Sequence, residues 1–136
     1  MKITNHMENR GIFSIIEKAK KDKQVIAVAL FGSSLKGVGR DVDICIFLDK
    51  KYPNLEMSKK KLNFLKEINN RFDIQIFQQL PIYIRVRILK EMRILFCRNK
   101  DLLYEIAFST IKEFNLFEKR YNFYLEAIKN GKKIQT

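Results

Sequence analysis

The chain has 136 residues, which is enough for one domain with a sizeable hydrophobic core. Hydrophobic residues make up 46% of it and only two prolines and five glycines occur, which excludes a disordered or low-complexity protein. The formal net charge of +12 favours anionic partners, but the basic residues are spread along the chain and do not distinguish nucleotides from nucleic acids or acidic proteins.

Several classes of protein and site can be set aside. No apolar run approaches the roughly 20 residues of a membrane span, and residues 1–10 lack the apolar stretch of a signal peptide, so we expect a soluble cytoplasmic protein. Cys45 and Cys97 lie in apolar runs without metal-ligand spacing, and we expect both to be buried and reduced. The single histidine, His6, has no evident Ser or Cys partner for nucleophilic catalysis.

Helical and strand-like patterns alternate along the chain. In order, they predict a helix at about 8–21, a strand at 24–31, a loop at 32–40, a strand at 41–48, a connection at 49–57, a helix at 58–70, a strand at 72–77, a helix at 81–92, a strand at 93–97, and two helices at 100–114 and 116–130. We therefore predict one α/β domain over 1–136, with a small mixed β-sheet and flanking helices at about 8–97 and C-terminal helices at about 100–130.

Three details of this assignment follow from local signals. Ser58 is expected to cap the helix that begins there, with Leu62 on its inner face. The run 44–48 is apolar on both faces, which predicts an interior strand. The aromatic stripe that contains Tyr121 and Tyr124 favours a helix core or a partner-facing surface over base stacking.

The segment around Gly32 carries the strongest signal for chemistry. Asp41 and Asp43 lie two residues apart at the start of the second strand, so both side chains project from one face and can share hard cations such as Mg²⁺ carrying phosphate oxygens. Gly32 permits close approach of a phosphate to the main chain, and Ser33 adds a hydroxyl and free N–H groups. A Gly-Ser turn alone is typical of an ordinary turn, but carboxylates at the mouth of an interior strand need a partner or a metal.

Asp73 is a third candidate, in a strand as apolar as the one that carries the acidic pair. By itself a single aspartate on a strand is usually only solvated. If the two strands are neighbours, three carboxylates can hold two divalent ions about 3.5–4 Å apart, which activate an attacking hydroxyl and stabilise a departing pyrophosphate.

Together these residues resemble the DNA polymerase β-like nucleotidyltransferase superfamily, and most closely its minimal nucleotidyltransferase (MNT) branch. The run 32–37, Gly-Ser-Ser-Leu-Lys-Gly, matches the Gly-Ser-x-x-[Arg/Lys]-Gly motif of that branch. Asp41 and Asp43 match its metal-binding pair, and Asp73 in Phe-Asp-Ile-Gln-Ile matches its third carboxylate. The loop between the two motifs is shorter than is usual in the branch, and Arg40 stands where a serine is common.

The resemblance implies a nucleotidyltransferase fold and a Mg²⁺-dependent enzyme that transfers a nucleoside monophosphate, usually AMP from ATP, to a hydroxyl. It implies that Gly32 and Ser33 bind the nucleotide and that Asp41, Asp43 and Asp73 hold two Mg²⁺ ions. Some members are antitoxins that adenylylate a tyrosine of a HEPN-domain toxin, so a partner of this kind is expected.

Two alternatives remain open at this point. One is a catalytically inactive relative that acts by binding a toxin or another partner. The other is a nucleic-acid-binding module that uses the net charge of +12, for which a steep salt dependence of affinity would be the sign.

Overall fold

The computed structural model describes residues 6–32, 42–66, 68 and 72–131, with side chains described from Arg10 onward. Its elements, in chain order, are α1 (His6–Lys21), β1 (Val25–Phe31), β2 (Val42–Leu48), α2 (Asn54–Leu65), β3 (Phe72–Ile76), a 3₁₀ turn (Phe77–Gln79), α3 (Ile82–Glu91), β4 (Arg93–Cys97) and α4 (Lys100–Lys129). The predicted alternation of helices and strands is confirmed, and so is the α/β class with a helical C-terminal region.

The four strands form one mixed sheet in the order β3-β2-β1-β4. β1 pairs antiparallel with both β2 and β4, whereas β2 pairs parallel with β3. Every residue of β2 from Ile44 to Leu48 is buried, because the strand lies inside the sheet and both faces are covered. The interior position predicted for 44–48 is therefore confirmed.

Helices cover both faces of the sheet and create two hydrophobic layers. One layer lies under α1 and α2 and includes Ile12, Ile15, Ala19, Val28, Leu30, Ile44, Ile46, Met57, Phe64, Ile74 and Ile76. The other lies under α3 and α4 and includes Ile26, Ala27, Ala29, Cys45, Phe47, Phe77, Ile88 and Leu103. Alternate residues of β2 thus enter opposite layers, as the period of a strand requires. In β1 the adjacent residues Ile26 and Ala27 share a layer, because the pairing with β2 shifts register between Val25 and Ala27.

The C-terminal end of α1 is held by Arg98, the residue after β4. Its guanidinium donates hydrogen bonds to the main-chain carbonyls of Ala19 at 2.9 Å, Lys20 at 2.7 Å and Val25 at 3.1 Å. A cation at this end also interacts favourably with the helix dipole. Arg98 therefore ties the first helix to the sheet edge formed by the last strand.

The predicted start of α2 is wrong by about one turn. The helix begins at Asn54, directly after Pro53, and Ser58 lies inside it, where its hydroxyl accepts a hydrogen bond from Gln79 at 3.0 Å. Proline fixes a backbone angle suited to a helix start, and this signal prevailed over the serine cap. The inner face consequently carries Met57 and Phe64, whereas Leu62 is 60% exposed.

The two predicted C-terminal helices are one continuous helix of 30 residues, α4. Asn115, where a break was predicted, does not interrupt the main-chain hydrogen bonding of a helix as proline would. The helix starts at the cap residue Asn99, whose side chain accepts a hydrogen bond from the N–H of Leu102 at 3.0 Å. Of the helices that the structure describes, none combines the length and apolarity needed to cross a membrane.

Candidate functional site

Two of the predicted carboxylates meet on the parallel strand pair. Asp43 of β2 and Asp73 of β3 are register partners, so their α-carbons lie side by side on strands about 4.8 Å apart. Register partners on adjacent strands project to the same face of the sheet. Asp43 is partly buried and Asp73 is exposed, so the pair lies at the solvent boundary, where a charged ligand can reach it.

Gly32 lies against the same carboxylate. It follows β1, in which Phe31 is the register partner of Asp43. Its φ of 78° is in the left-handed region, and a β-carbon at this position would collide with the Asp43 carboxylate. Position 32 therefore requires glycine for two independent reasons, the backbone angle and the space that Asp43 occupies.

Asp41 and Ser33 lie outside the described residues. The structure therefore brings together Gly32, Asp43 and Asp73 of the five residues assigned from the sequence. Within 6–32, 42–66, 68 and 72–131 there is no group of three His, Cys, Asp or Glu side chains arranged to hold a metal ion. The third acidic ligand implied by the family resemblance, Asp41, lies outside these ranges.

A relay of hydrogen bonds reaches Asp73 from α2. The Gln75 side-chain amide donates to the Asp73 carboxylate, at 3.3 Å from Oδ1 and 3.5 Å from Oδ2. The Lys61 ammonium in turn donates to Gln75 Oε1 at 3.3 Å. Lys61 comes from the helix that packs on the other face, so its side chain passes the β3 edge of the sheet to reach Gln75. The amide of Gln75 thus lies between a cation and Asp73, and it links α2 to the Asp73 carboxylate.

Sequence reasoning missed both residues of this relay. The alternation of 72–77 already places Gln75 on the face of Asp73, so the glutamine could have been found from the strand period. No sequence signal connects Lys61 with this face, because the contact depends on how α2 lies along the sheet edge.

The strand residues that follow Asp43 toward the interior of the sheet are apolar. Cys45, two residues after Asp43 on β2, pairs with Ala29 of β1 and is completely buried. Burial raises the pKa of the Cys45 thiol, so it stays protonated and serves as a packing residue. Cys97 is also a free cysteine but is only partly buried, so the expected full burial holds for Cys45 alone.

This arrangement suits a hard cation that carries phosphate oxygens. Carboxylate oxygens are the ligands that Mg²⁺ prefers, and it usually takes one or two of them together with substrate phosphates. Asp43 and Asp73 supply such oxygens from a rigid strand pair, and Gly32 leaves the adjacent main chain open to close approach. The donor set therefore fits a divalent metal and a phosphate-bearing substrate.

A family model described as "Polymerase beta, Nucleotidyltransferase" matches residues 14–101, which is more than half of the chain. The match extends from α1 to the first residues of α4 and so includes the sheet and both described carboxylates.

A curated relative matches most of the chain. It is the protein of Methanocaldococcus jannaschii named "Putative protein adenylyltransferase MJ1547", which is 26% identical over 119 residues. The alignment covers 73% of this chain and 92% of the relative.

Several solved structures of similar fold come from toxin–antitoxin complexes. A chain in the crystal structure of a toxin–antitoxin with AMP-PNP superimposes with a TM-score of 0.65 at 13% identity, covering 88% of this chain and 97% of its own length. A chain in the complex of tri-AMPylated Shewanella oneidensis HEPN toxin with MNT antitoxin gives a TM-score of 0.61 at 12% identity, with 88% and 98% covered. A chain of the MntA–HepT toxin–antitoxin gives 0.64 at 12% identity, with 89% and 98% covered. These similarities show a shared fold.

Proposed function

Because this chain belongs to the polymerase β nucleotidyltransferase family, we propose that it transfers AMP from ATP to a hydroxyl group of a protein. The curated relative named for protein adenylyl transfer supports a protein acceptor. The fold neighbour with AMP-PNP supports an adenine nucleotide as donor. The observation that carries the proposal is the pairing of Asp43 with Asp73 beside a glycine that no other residue can replace without displacing a carboxylate.

Each site residue has a distinct role in this proposal. Asp43 and Asp73, together with Asp41, hold two Mg²⁺ ions, which when bound neutralise phosphate charge and polarise the reacting phosphoryl group. Gly32 and Ser33 bind the triphosphate through the main chain and a hydroxyl.

The transfer itself is an in-line displacement at the α-phosphorus of ATP. The acceptor oxygen forms a bond to this phosphorus, the bond to the pyrophosphate oxygen breaks, and pyrophosphate leaves. Asp73 is the more exposed of the two described carboxylates and accepts the proton of the attacking hydroxyl. The protein contributes positioning and electrostatic stabilisation, with no covalent intermediate on the chain.

We further propose that the acceptor is a tyrosine of a HEPN-domain toxin and that this chain is the antitoxin. Support comes from the fold neighbour in complex with a tri-AMPylated HEPN toxin.

The test is transfer of radiolabel from ATP in the presence of Mg²⁺, with the full chain as enzyme and a HEPN-domain protein as acceptor. We expect label from α-³²P-ATP and none from γ-³²P-ATP, because AMP is transferred and pyrophosphate leaves. Asp43→Asn and Asp73→Asn should each lower the rate by at least about 100-fold, since each removes a carboxylate charge from the metal site. Asp101→Asn, in the first turn of α4, is the matched control and should be unchanged.

The same experiment separates the alternatives. Full activity in Asp43→Asn would rule out the metal-binding role. A chain that binds the HEPN protein but never labels it would be an antitoxin that acts by contact alone. Binding of RNA or DNA that weakens steeply with salt, without binding of ATP, would indicate a nucleic-acid-binding module.

A further inference from the structure

The C-terminal half of α4 exposes an apolar seam. From Asn115 to Lys129, every residue except Ala127 is exposed. Four large side chains recur there with the spacing of three and four residues that defines one face of a helix: Phe117, Tyr121, Tyr124 and Ile128. We call these four residues the C-terminal seam; each is between 46% and 54% exposed.

The C-terminal seam continues the buried face of the same helix without a change of phase. In the first half of α4 that face carries Leu103 and Thr110, which are buried, with α3 and β1 packed against the helix. The same spacing of three and four residues leads from Thr110 through Phe114 to Phe117. One face of α4 is thus covered by the domain in its first half and by nothing described in its second half.

We propose that this chain forms a homodimer in which two copies pair the C-terminal seams of their α4 helices in antiparallel orientation. A repeat of three and four residues on a helix is the pattern that packs against a second helix. An antiparallel pair centred between positions 122 and 123 brings Tyr121 against Tyr124 of the other copy and Phe117 against Ile128. All four residues of the C-terminal seam are then covered in each copy.

The charges beside the C-terminal seam permit this pairing. In an antiparallel helix pair, the residues that flank the interface meet the flanking residues on the same side of the partner helix, about two positions from the residue at the same height. Arg120 therefore faces Ala127 of the other copy, and Glu118 faces Leu125, so no like charges are opposed. Lys119 and Glu126 lie at the back of the helix.

The distribution of net charge favours a second copy over an acidic protein as the occupant. α4 contains five basic and five acidic residues, so its net charge is zero and the whole charge of +12 lies outside it. An acidic partner would therefore gain no long-range attraction from α4. Pairing of α4 with α4 meets no electrostatic penalty along the helix itself.

The orientation also follows from the charge. In the antiparallel pair, the buried Thr110 positions of the two copies are separated by about 38 Å along the helix axis, at 1.5 Å per residue. This distance is several times the Debye length of about 8 Å, so the two strongly basic domains do not repel each other appreciably. A parallel pair would place these domains side by side.

The apolar area fits a weak dimer. The four residues of the C-terminal seam and the adjoining Leu125 together expose about 500 Å² of side-chain surface per copy, which the dimer would bury. The total of about 1,000 Å² is at the lower limit for a specific interface, so we expect a dissociation constant on the order of 10 µM or weaker.

The test is sedimentation velocity of the full chain from about 5 to 300 µM, a range that brackets this affinity. We expect the average mass to rise from one copy toward two. Tyr121→Glu should keep the chain monomeric at every concentration. Phe123→Glu is the matched control, since Phe123 is 75% exposed on another face of the same helix, and it should dimerise like the wild type.

A charge swap determines the orientation. In the double variant Tyr121→Glu with Tyr124→Lys, the antiparallel register pairs each new carboxylate with a new ammonium, so dimerisation should return. A parallel pair would oppose like charges and stay monomeric.

Two outcomes would overturn the proposal. One is a chain that is monomeric at all concentrations. If Tyr121→Glu then also weakens binding of a HEPN-domain protein, the C-terminal seam belongs to a hetero-complex. The other is a double variant that remains monomeric. The readout is mass and does not depend on adenylyl transfer, so this proposal and the proposed function can fail separately.

Discussion

Gly32 and Asp43 share one small volume, because a β-carbon on Gly32 would collide with the Asp43 carboxylate. The contact joins the end of β1 to the start of β2 at the point where the candidate site opens. It also makes the two residues interdependent, since Asp43 can keep its position only beside a residue without a side chain.

Gly32→Ala should therefore reduce adenylyl transfer while lowering the free energy of unfolding only modestly. The left-handed backbone angle alone costs about 1–2 kcal/mol in the free energy of unfolding, and the displaced Asp43 carboxylate should reduce transfer by at least about 10-fold. Gly131→Ala is the matched control, because Gly131 has a φ of 71° and nothing within 4 Å of an added β-carbon. It should show a similar loss of stability in urea titrations and normal transfer. Equal transfer by the two variants would contradict the coupling of Gly32 to Asp43.

The Gln75 amide should set the orientation of the Asp73 carboxylate. In Gln75→Leu we expect the Mg²⁺ concentration for half-maximal transfer to rise several-fold, because Asp73 loses its donor and its link to Lys61. Gln79→Leu provides the comparison, since the Gln79 amide bonds to Asn54 and Ser58, away from the carboxylates. If both variants require the same Mg²⁺ concentration as the wild type, the relay has no part in metal binding.

Loss of the Arg98 side chain should destabilise the whole domain. Arg98→Ala removes the donors to two carbonyls at the end of α1 and to the Val25 carbonyl at the start of β1, and we expect the free energy of unfolding to fall by about 2 kcal/mol. Arg87→Ala breaks only an exposed ion pair with Glu91 at 3.6 Å and should change it by less than about 0.5 kcal/mol. Chemical denaturation at neutral pH measures both values, and similar losses would show that Arg98 acts as an ordinary surface residue.

Tyr52 should make stability depend on pH in the alkaline range. The hydrogen bond that its hydroxyl donates to Asp49 at 2.7 Å, followed by burial and the nearby carboxylate charges, raises the pKa of Tyr52 to about 12. An unfolded tyrosine ionises near pH 10, so this stabilisation is complete below pH 10 and is lost as the pH rises through about 12.

The measurement is the difference in unfolding free energy between the wild type and Tyr52→Phe. We expect about 1–2 kcal/mol at pH 8, shrinking between pH 10 and 12. Tyr83→Phe removes an exposed hydroxyl and should leave the free energy of unfolding equal to that of the wild type throughout this pH range. A gap for Tyr52→Phe that stays constant up to pH 12 would show that the hydrogen bond to Asp49 does not control this titration.

The sheet was predictable from the sequence because its strands carry strong local signals. The two-sided apolar run at 44–48 identified an interior strand, and the alternation at 72–77 assigned Asp73 to one face. The register that places Asp73 beside Asp43 was not predictable, since it depends on the crossover through α2 that makes β3 parallel to β2.

Helix boundaries were less predictable where two local signals compete. Pro53 and Ser58 both mark a helix start, and only packing of Met57 and Phe64 into the core distinguishes them. The continuity of α4 through Asn115 likewise depends on an uninterrupted face that local propensity does not reveal. The position of Lys61 at the site is a purely tertiary property and has no local signal.

Gln78 pairs with the end of β2 where β3 has already stopped. Its side-chain amide accepts a hydrogen bond from the N–H of Leu48 at 3.1 Å and donates one to the Leu48 carbonyl at 2.7 Å, as a main-chain peptide of a neighbouring strand would. The last peptide of the central strand is therefore closed to strand addition by another polypeptide. Any intermolecular β-pairing along this sheet, including the first step of aggregation, would have to begin on the outer strands β3 or β4.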